Sequence, residues 1–232
     1  MNRSIERAAR ERRYFVGLDL GQASDFTALA VLERQPRQAG TDAPVFHCRH
    51  LQRWPLRTSY PAIVADVASM VNSSQIQVFG APVLAVDATG VGAPVVDLFK
   101  RAQLKARLMP IQITGGDSIS YDNGVIRVPK RDLVSVTQVA LQSERLKIAS
   151  ELPEAATLIR EMQNFHVKIN IETAHDSYGS WREGTHDDLI LAVALALWTG
   201  VHRGEPEIIP EQPLSYAYSY LTGEETAWNS RR

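Results

Sequence analysis

Apolar residues crowd into two short runs near the start of the chain, YFVGLDLG (14–21) and FTALAVLER (26–34), separated by the turn-forming QASD. Runs of this length, bounded by Gly and Asp, read as strands. A loop rich in Pro, Gly and Gln follows, and PVFHCRHLQRW (44–54) reads as the third strand of a meander. The pattern then changes period. YPAIVADVASMVNSSQ (60–75) places apolar residues at helical spacing, with Pro61 near the start where a helix tolerates it.

The second half alternates short apolar runs with helical ones. PVLAVDATG (82–90) predicts a strand ending in acid and glycine, 91–104 a helix, and RLMPIQIT (107–114) another strand. After the turn-rich GGDSISYDNG comes VIRVPK, then helices over 131–147 and 153–165. FHVKINIET (165–173) reads as a strand, half of a hairpin with SYGSWREG (177–184). A closing helix spans 186–201. An antiparallel meander followed by strand–helix–strand units predicts an α/β fold with a mixed sheet of five or more strands, covered by helices on both faces.

At 232 residues the chain supports one substantial core. We assign residues 14–203 to the domain, 1–13 to a basic segment or linker with five Arg against two Glu, and 204–232 to an extended or disordered tail. A net charge of −1 gives no global signature of nucleic-acid binding, although a local groove can be basic in a neutral protein. Cys48 is the only cysteine, which excludes an internal disulfide and any cysteine-rich metal site. The longest apolar run, Leu189 to Trp198, is about half of a membrane span, so no membrane partner is expected.

That run is preceded by two adjacent carboxylates, Asp187 and Asp188, in GTHDDLILAVALALW (184–198). Acids suit a helix's first turn, but capping needs only one of them. Asp19 lies near the end of the first strand and Asp87 near the end of the fourth. If those strands are parallel neighbours, both carboxylates emerge at one edge of the sheet, where the closing helix can bring Asp187 and Asp188. Crowded carboxylates repel, and a cation resolves the conflict. Oxygen donors without a Cys or His set select Mg²⁺ or Mn²⁺, as in sites holding two ions ~4 Å apart that hydrolyse phosphodiesters. One of Asp187 and Asp188 is expected to be a direct ligand, and the sequence leaves open which.

The motif series GLDLGQASDFTALAVLE, VDATGVGAPVVDLF, VPK (128–130) and GTHDDLILAVALALW resembles the nuclease domain of phage large terminase subunits, over about residues 14–201. The resemblance implies a ribonuclease H-like fold and a Mg²⁺- or Mn²⁺-dependent endonuclease that cuts concatemeric double-stranded DNA during genome packaging. It implies that Asp19, Asp87 and Asp187 or Asp188 form the acidic cluster, with Asp25, Lys130 and His186 in supporting roles. An ATPase motor domain or subunit, a small terminase and a portal protein are the implied partners, in the cytoplasm of a host cell. Large terminases carry a G-x-x-x-x-G-K-[ST] phosphate loop ahead of the nuclease, and this sequence has none, which suggests an excised domain or a stand-alone relative. The rival readings are a RuvC-like junction resolvase, an actin- or sugar-kinase-type ATPase, and a non-catalytic DNA-binding module. Gly90 and Gly92 would turn the backbone beside Asp87. His175, Asp176, Arg101, Lys105 and Arg107 are weighed as DNA contacts against solvated surface.

Overall fold

The computed structural model describes residues 12–21, 25–36, 43–90, 92–164 and 187–202. Three strands run in antiparallel succession: β1 (Arg13–Asp19), β2 (Ala28–Arg34) and β3 (Phe46–Arg53). Helix α1 (Tyr60–Val71) starts behind Ser59, whose hydroxyl accepts from the Ala62 N–H, with Pro61 in the first turn. A single turn, α2 (Ser74–Gln77), leads to β4 (Val83–Asp87), α3 (Gly92–Arg101) and β5 (Arg107–Thr114). Strands β6 (Ser120–Asp122) and β7 (Val125–Pro129) make a hairpin around Asn123 and Gly124. Both turn residues have the positive φ that a tight hairpin turn requires. Then come α4 (Lys130–Gln142), β8 (Leu146–Ile148), α5 (Ala155–Asn164) and α6 (Asp188–His202).

All eight strands form one mixed sheet, ordered β6-β7-β5-β4-β1-β2-β3-β8. The pairs β1–β4, β4–β5, β5–β7 and β3–β8 are parallel. Alternation along β1 sorts its side chains between two cores. Val16 and Leu18 pack with Ile63, Val67 and Phe99 beneath α1 and α3. Phe15, together with Ala30 and Ala85 of the neighbouring strands, faces α6. Every residue of α6 from Asp188 to Gly200 is buried, which explains a helix apolar on all sides.

Two glycines let α6 lie against the strands. A Cβ on Gly17 would overlap the Ala192 carbonyl and come within 2.7 Å of the Ala196 nitrogen. One on Gly200 would overlap the Phe46 ring and reach 3.3 Å from that of Phe15. The helix therefore crosses β1 antiparallel, with its C-terminal end over Phe15 and its N-terminal turns beyond Gly17.

The helix expected over 131–147 is shorter. Glu144 takes a left-handed φ of 54°, and the N–H groups of Glu144 and Arg145 fold back onto the carbonyls of Leu141 and Ala140. That closes α4, as helix ends commonly do, and frees Leu146–Ile148 to pair with Phe46–Cys48 at the sheet edge. The helix expected over 60–75 likewise ends at Val71, capped at Asn72. The strand and hairpin expected over 165–184 fall outside the described residues, as do residues 1–11 and the tail from 203.

Candidate active site

The first expectation about the site was a juxtaposition, and the sheet provides it. Strands β1 and β4 are parallel neighbours in which Gly17 pairs with Ala85 and Leu18 with Val86. One step further both strands end, in Asp19 and Asp87. The two aspartates therefore leave adjacent strands in the same row, on the face that carries Gly17 and Ala85. They are 4% and 5% exposed, far below what an isolated carboxylate tolerates without compensation. The Asp87 carboxylate accepts a 2.7 Å hydrogen bond from the Thr89 N–H, and Gly90 at φ +80° turns the chain away behind it.

The closing helix brings Asp188 to the same edge of the sheet. Asp188, Ala192 and Ala196 are four residues apart and share one helix face, the face pressed on Gly17. From Ala192 back to Asp188 is a rise of about 6 Å along α6. From Gly17 on to Asp19 is an advance of about 7 Å along β1. Because the two elements run in opposite directions, these steps match, and Asp188 stands over the end of β1 much as Ala192 stands over Gly17. Asp188 is 4% exposed. Asp187 is half-buried, and its carbonyl accepts the first helical hydrogen bond, from the Leu191 N–H at 3.0 Å. Asp187 is thus the capping residue, and Asp188 the acid turned inward.

Two residues not singled out in the sequence complete this corner. Ala28 pairs with Asp19 on one side and with Arg53 on the other, so Arg53 belongs to the same row and face. Its guanidinium lies 4.3 Å from the centre of the Phe26 ring and 3.8 Å from Glu161 of α5. Glu161 is buried and accepts a 3.0 Å hydrogen bond from the Ile190 N–H in the first turn of α6. Burial pushes its carboxyl up to about 7. The like charge of Asp188 adds to the rise, while the Ile190 and Leu189 N–H groups and Arg53 oppose it. A signal for Glu161 was present in the sequence: Ala155, Leu158 and Glu161 follow at threefold spacing, which sets a charge in an apolar stripe.

The remaining candidates divide. Asp25 lines a cavity of about 730 Å³ together with Gly21, Arg57, Ser59, Tyr60 and Gly90, beside the acid row rather than in it. Lys130 opens α4 directly after β7 and emerges at the same edge of the sheet. It stands two strands from Asp87, about 10 Å across. Pro129 pairs with Thr114, three residues beyond the Ile111 that pairs with Asp87, so Lys130 lies outside the acid row. Arg107 begins β5 at the opposite edge, with Arg101 ending α3 beside it, which places this basic group away from the acids. His186, His175 and Asp176 lie outside the described residues.

The donors at this edge are carboxylate oxygens, which suit a hard divalent cation. Among the described residues, no three His, Cys, Asp or Glu side chains stand close enough as they are to hold one ion. The row is aligned but open.

No family model matches the sequence, and no curated protein does. Solved structures do. The human cytomegalovirus terminase nuclease domain, soaked with Mn and inhibitor-bound, aligns over 83% of this chain and 84% of its own, at 16% identity and a TM-score of 0.55. The same domain soaked with Mn alone aligns over 84% and 87%, at 17% identity and a TM-score of 0.54. The chain has the fold of a terminase nuclease domain. The large terminase nuclease of thermophilic phage G20c also aligns, over 80% of this chain and 81% of its own, at 18% identity and a TM-score of 0.49. The expected mixed sheet flanked by helices is present. Among the described residues no helix is long and apolar enough to cross a membrane.

Proposed function

We propose that this chain is a metal-dependent DNA endonuclease of the phage terminase type. The reading is supported by one edge of the sheet, where buried Asp19 and Asp87 end adjacent parallel strands and buried Asp188 opens the helix packed on β1. Carboxylate oxygens gathered at one edge suit a hard divalent cation, and the terminase domains of like fold were soaked with Mn.

In this reading Asp19, Asp87 and Asp188 would supply the oxygens that hold Mg²⁺ or Mn²⁺, two ions in all. Bound there, the metal would activate the attacking water and stabilise the departing oxygen of a phosphodiester. The protein's own groups do the rest. The Thr89 N–H and the turn at Gly90 fix the Asp87 carboxylate. Arg53 closes the row with positive charge, and Lys130 on the same edge contacts the phosphate backbone of double-stranded DNA. Asp25 and His186 are retained as supporting groups, Asp25 at the mouth of the neighbouring cavity. The chain acts in the cytoplasm of a host cell, on concatemeric viral DNA, with an ATPase motor, a small terminase and a portal as partners. An actin- or sugar-kinase-type ATPase requires a second lobe, and the described residues build one sheet.

Supercoiled plasmid incubated with Mn²⁺ tests the reading. The parental chain should nick or linearise it, without preferring a four-way junction to linear duplex. Asp87→Asn should lower the rate about a thousandfold, roughly 4 kcal/mol of barrier, while its melting temperature holds or rises. Parental rates from Asp87→Asn would reject the proposal.

A further inference from the structure

The first turn of α6 presents three N–H groups that the helix cannot satisfy itself. Asp187 supplies the carbonyl of the first helical bond. The Ile190 N–H is met instead by a carboxylate from another helix, Glu161 Oε2 at 3.0 Å. A Ser or Thr at the cap would satisfy such a donor without burying a charge. Here the acceptor is a glutamate 6% exposed, and the like charge of Asp188 makes its burial more costly. Arg53 lies 3.8 Å away and offsets part of that cost. Arg53 is itself seated at the end of the Asp19 row, against Phe26 and 3.7 Å from Glu154. Glu161 therefore ties the turn that carries Asp188 by a hydrogen bond and faces Arg53 of the strand row at ion-pair distance, with no hydrogen bond between the two.

We propose that Glu161 is a positioning residue for the acid row, holding the first turn of α6 so that Asp188 stands over the ends of β1 and β4. This role rests on the metal-dependent reading above, since the placing of Asp188 matters most when it shares an ion with Asp19 and Asp87. Outer partners that orient metal ligands typically change metal affinity by about 10–100-fold when removed. Glu161→Gln keeps an acceptor for the Ile190 N–H, whereas Glu161→Ala removes it. Glu161→Asp keeps the charge but shortens the reach, and serves if the alanine variant does not fold.

Two measurements on the full chain separate positioning from general stability. The first is amide hydrogen exchange of the metal-free protein, resolved at Ile190. The second is a calorimetric Mn²⁺ titration. Glu161→Ala and Glu161→Asp should speed exchange at Ile190 about tenfold and weaken Mn²⁺ binding about tenfold. Amides of β4 should exchange at the parental rate, and Glu161→Gln should restore most of both signals. A parental Mn²⁺ isotherm from Glu161→Asp, or faster exchange throughout the sheet, would overturn the positioning role. Parental protein that takes up no Mn²⁺ while Ile190 still responds to the substitutions would overturn the metal reading, and with it the role of Glu161 at that site.

Discussion

Among the described residues two glutamates are buried, and the protein treats them differently. Glu33 on β2 is 2% exposed, gripped by Arg12 Nε at 2.5 Å and Arg49 Nε at 2.6 Å. Burial pushes its carboxyl up, but hydrogen bonds from Arg49, Gln35 and Arg12 outweigh it and hold the group below its ordinary value. Glu161 has one arginine at 3.8 Å and an aspartate as neighbour, and is pushed up to about 7. The same chemical group is thus fully compensated at one end of the sheet and short of compensation at the other. That shortfall falls beside Asp188, one of the three aspartates that we assign to the metal site. One glutamate is held by direct hydrogen bonds from arginine, and the other stands beside the edge that we assign to catalysis.

The sharpest way to break this contrast is to compare the two neighbouring aspartates of α6. Asp188→Asn should cost about a thousandfold in plasmid cleavage, roughly 4 kcal/mol, with little change in stability. Asp187→Asn, which keeps a capping side chain, should stay within about tenfold. Equal losses would dissolve the distinction between inward acid and cap. Next in size, Gly17→Ala should destabilise the fold by about 3 kcal/mol in urea unfolding, because the new methyl meets the Ala192 and Ala196 backbone.

A smaller effect is expected at the compensated glutamate. Glu33→Gln should lose about 1 kcal/mol near neutral pH, since both arginines are partly solvated. A depressed carboxyl stabilises the fold above its unfolded value of 4.5, and that contribution is lost as the pH falls through the folded value. Unfolding curves of parent and variant should therefore converge in acid. The smallest effect concerns Cys48, whose thiol burial pushes up to about 12. Iodoacetamide should label it slowly in the native protein and rapidly in denaturant.

Much of this was legible in residue order. The runs ending in Asp19 and Asp87 look like strands because apolar residues fill them and Gly follows. A helical crossover favours a parallel direction for the second run, but that it lies beside β1 was a condition in the sequence and is supplied by the sheet. Gly17, inside a strand, signals close approach of another backbone, although nothing in its neighbourhood names α6 as the partner. Arg53 and Glu161 were harder. One ends a polar strand and the other sits in a surface-like helix, and their meeting depends on how α5 packs beside α6. Strand β8 stayed hidden because its three residues continue a helical pattern, and only the left-handed turn at Glu144 detaches them. Lys130 was read from a motif, which fixes the edge it occupies but not its distance from the acids.

The central claim is that Asp19, Asp87 and Asp188 share divalent ions. Anomalous diffraction from crystals soaked in Mn²⁺ measures this directly. The account predicts peaks between these three carboxylates, lost in Asp19→Asn. Strong peaks elsewhere, with none at the ends of β1 and β4, would contradict it.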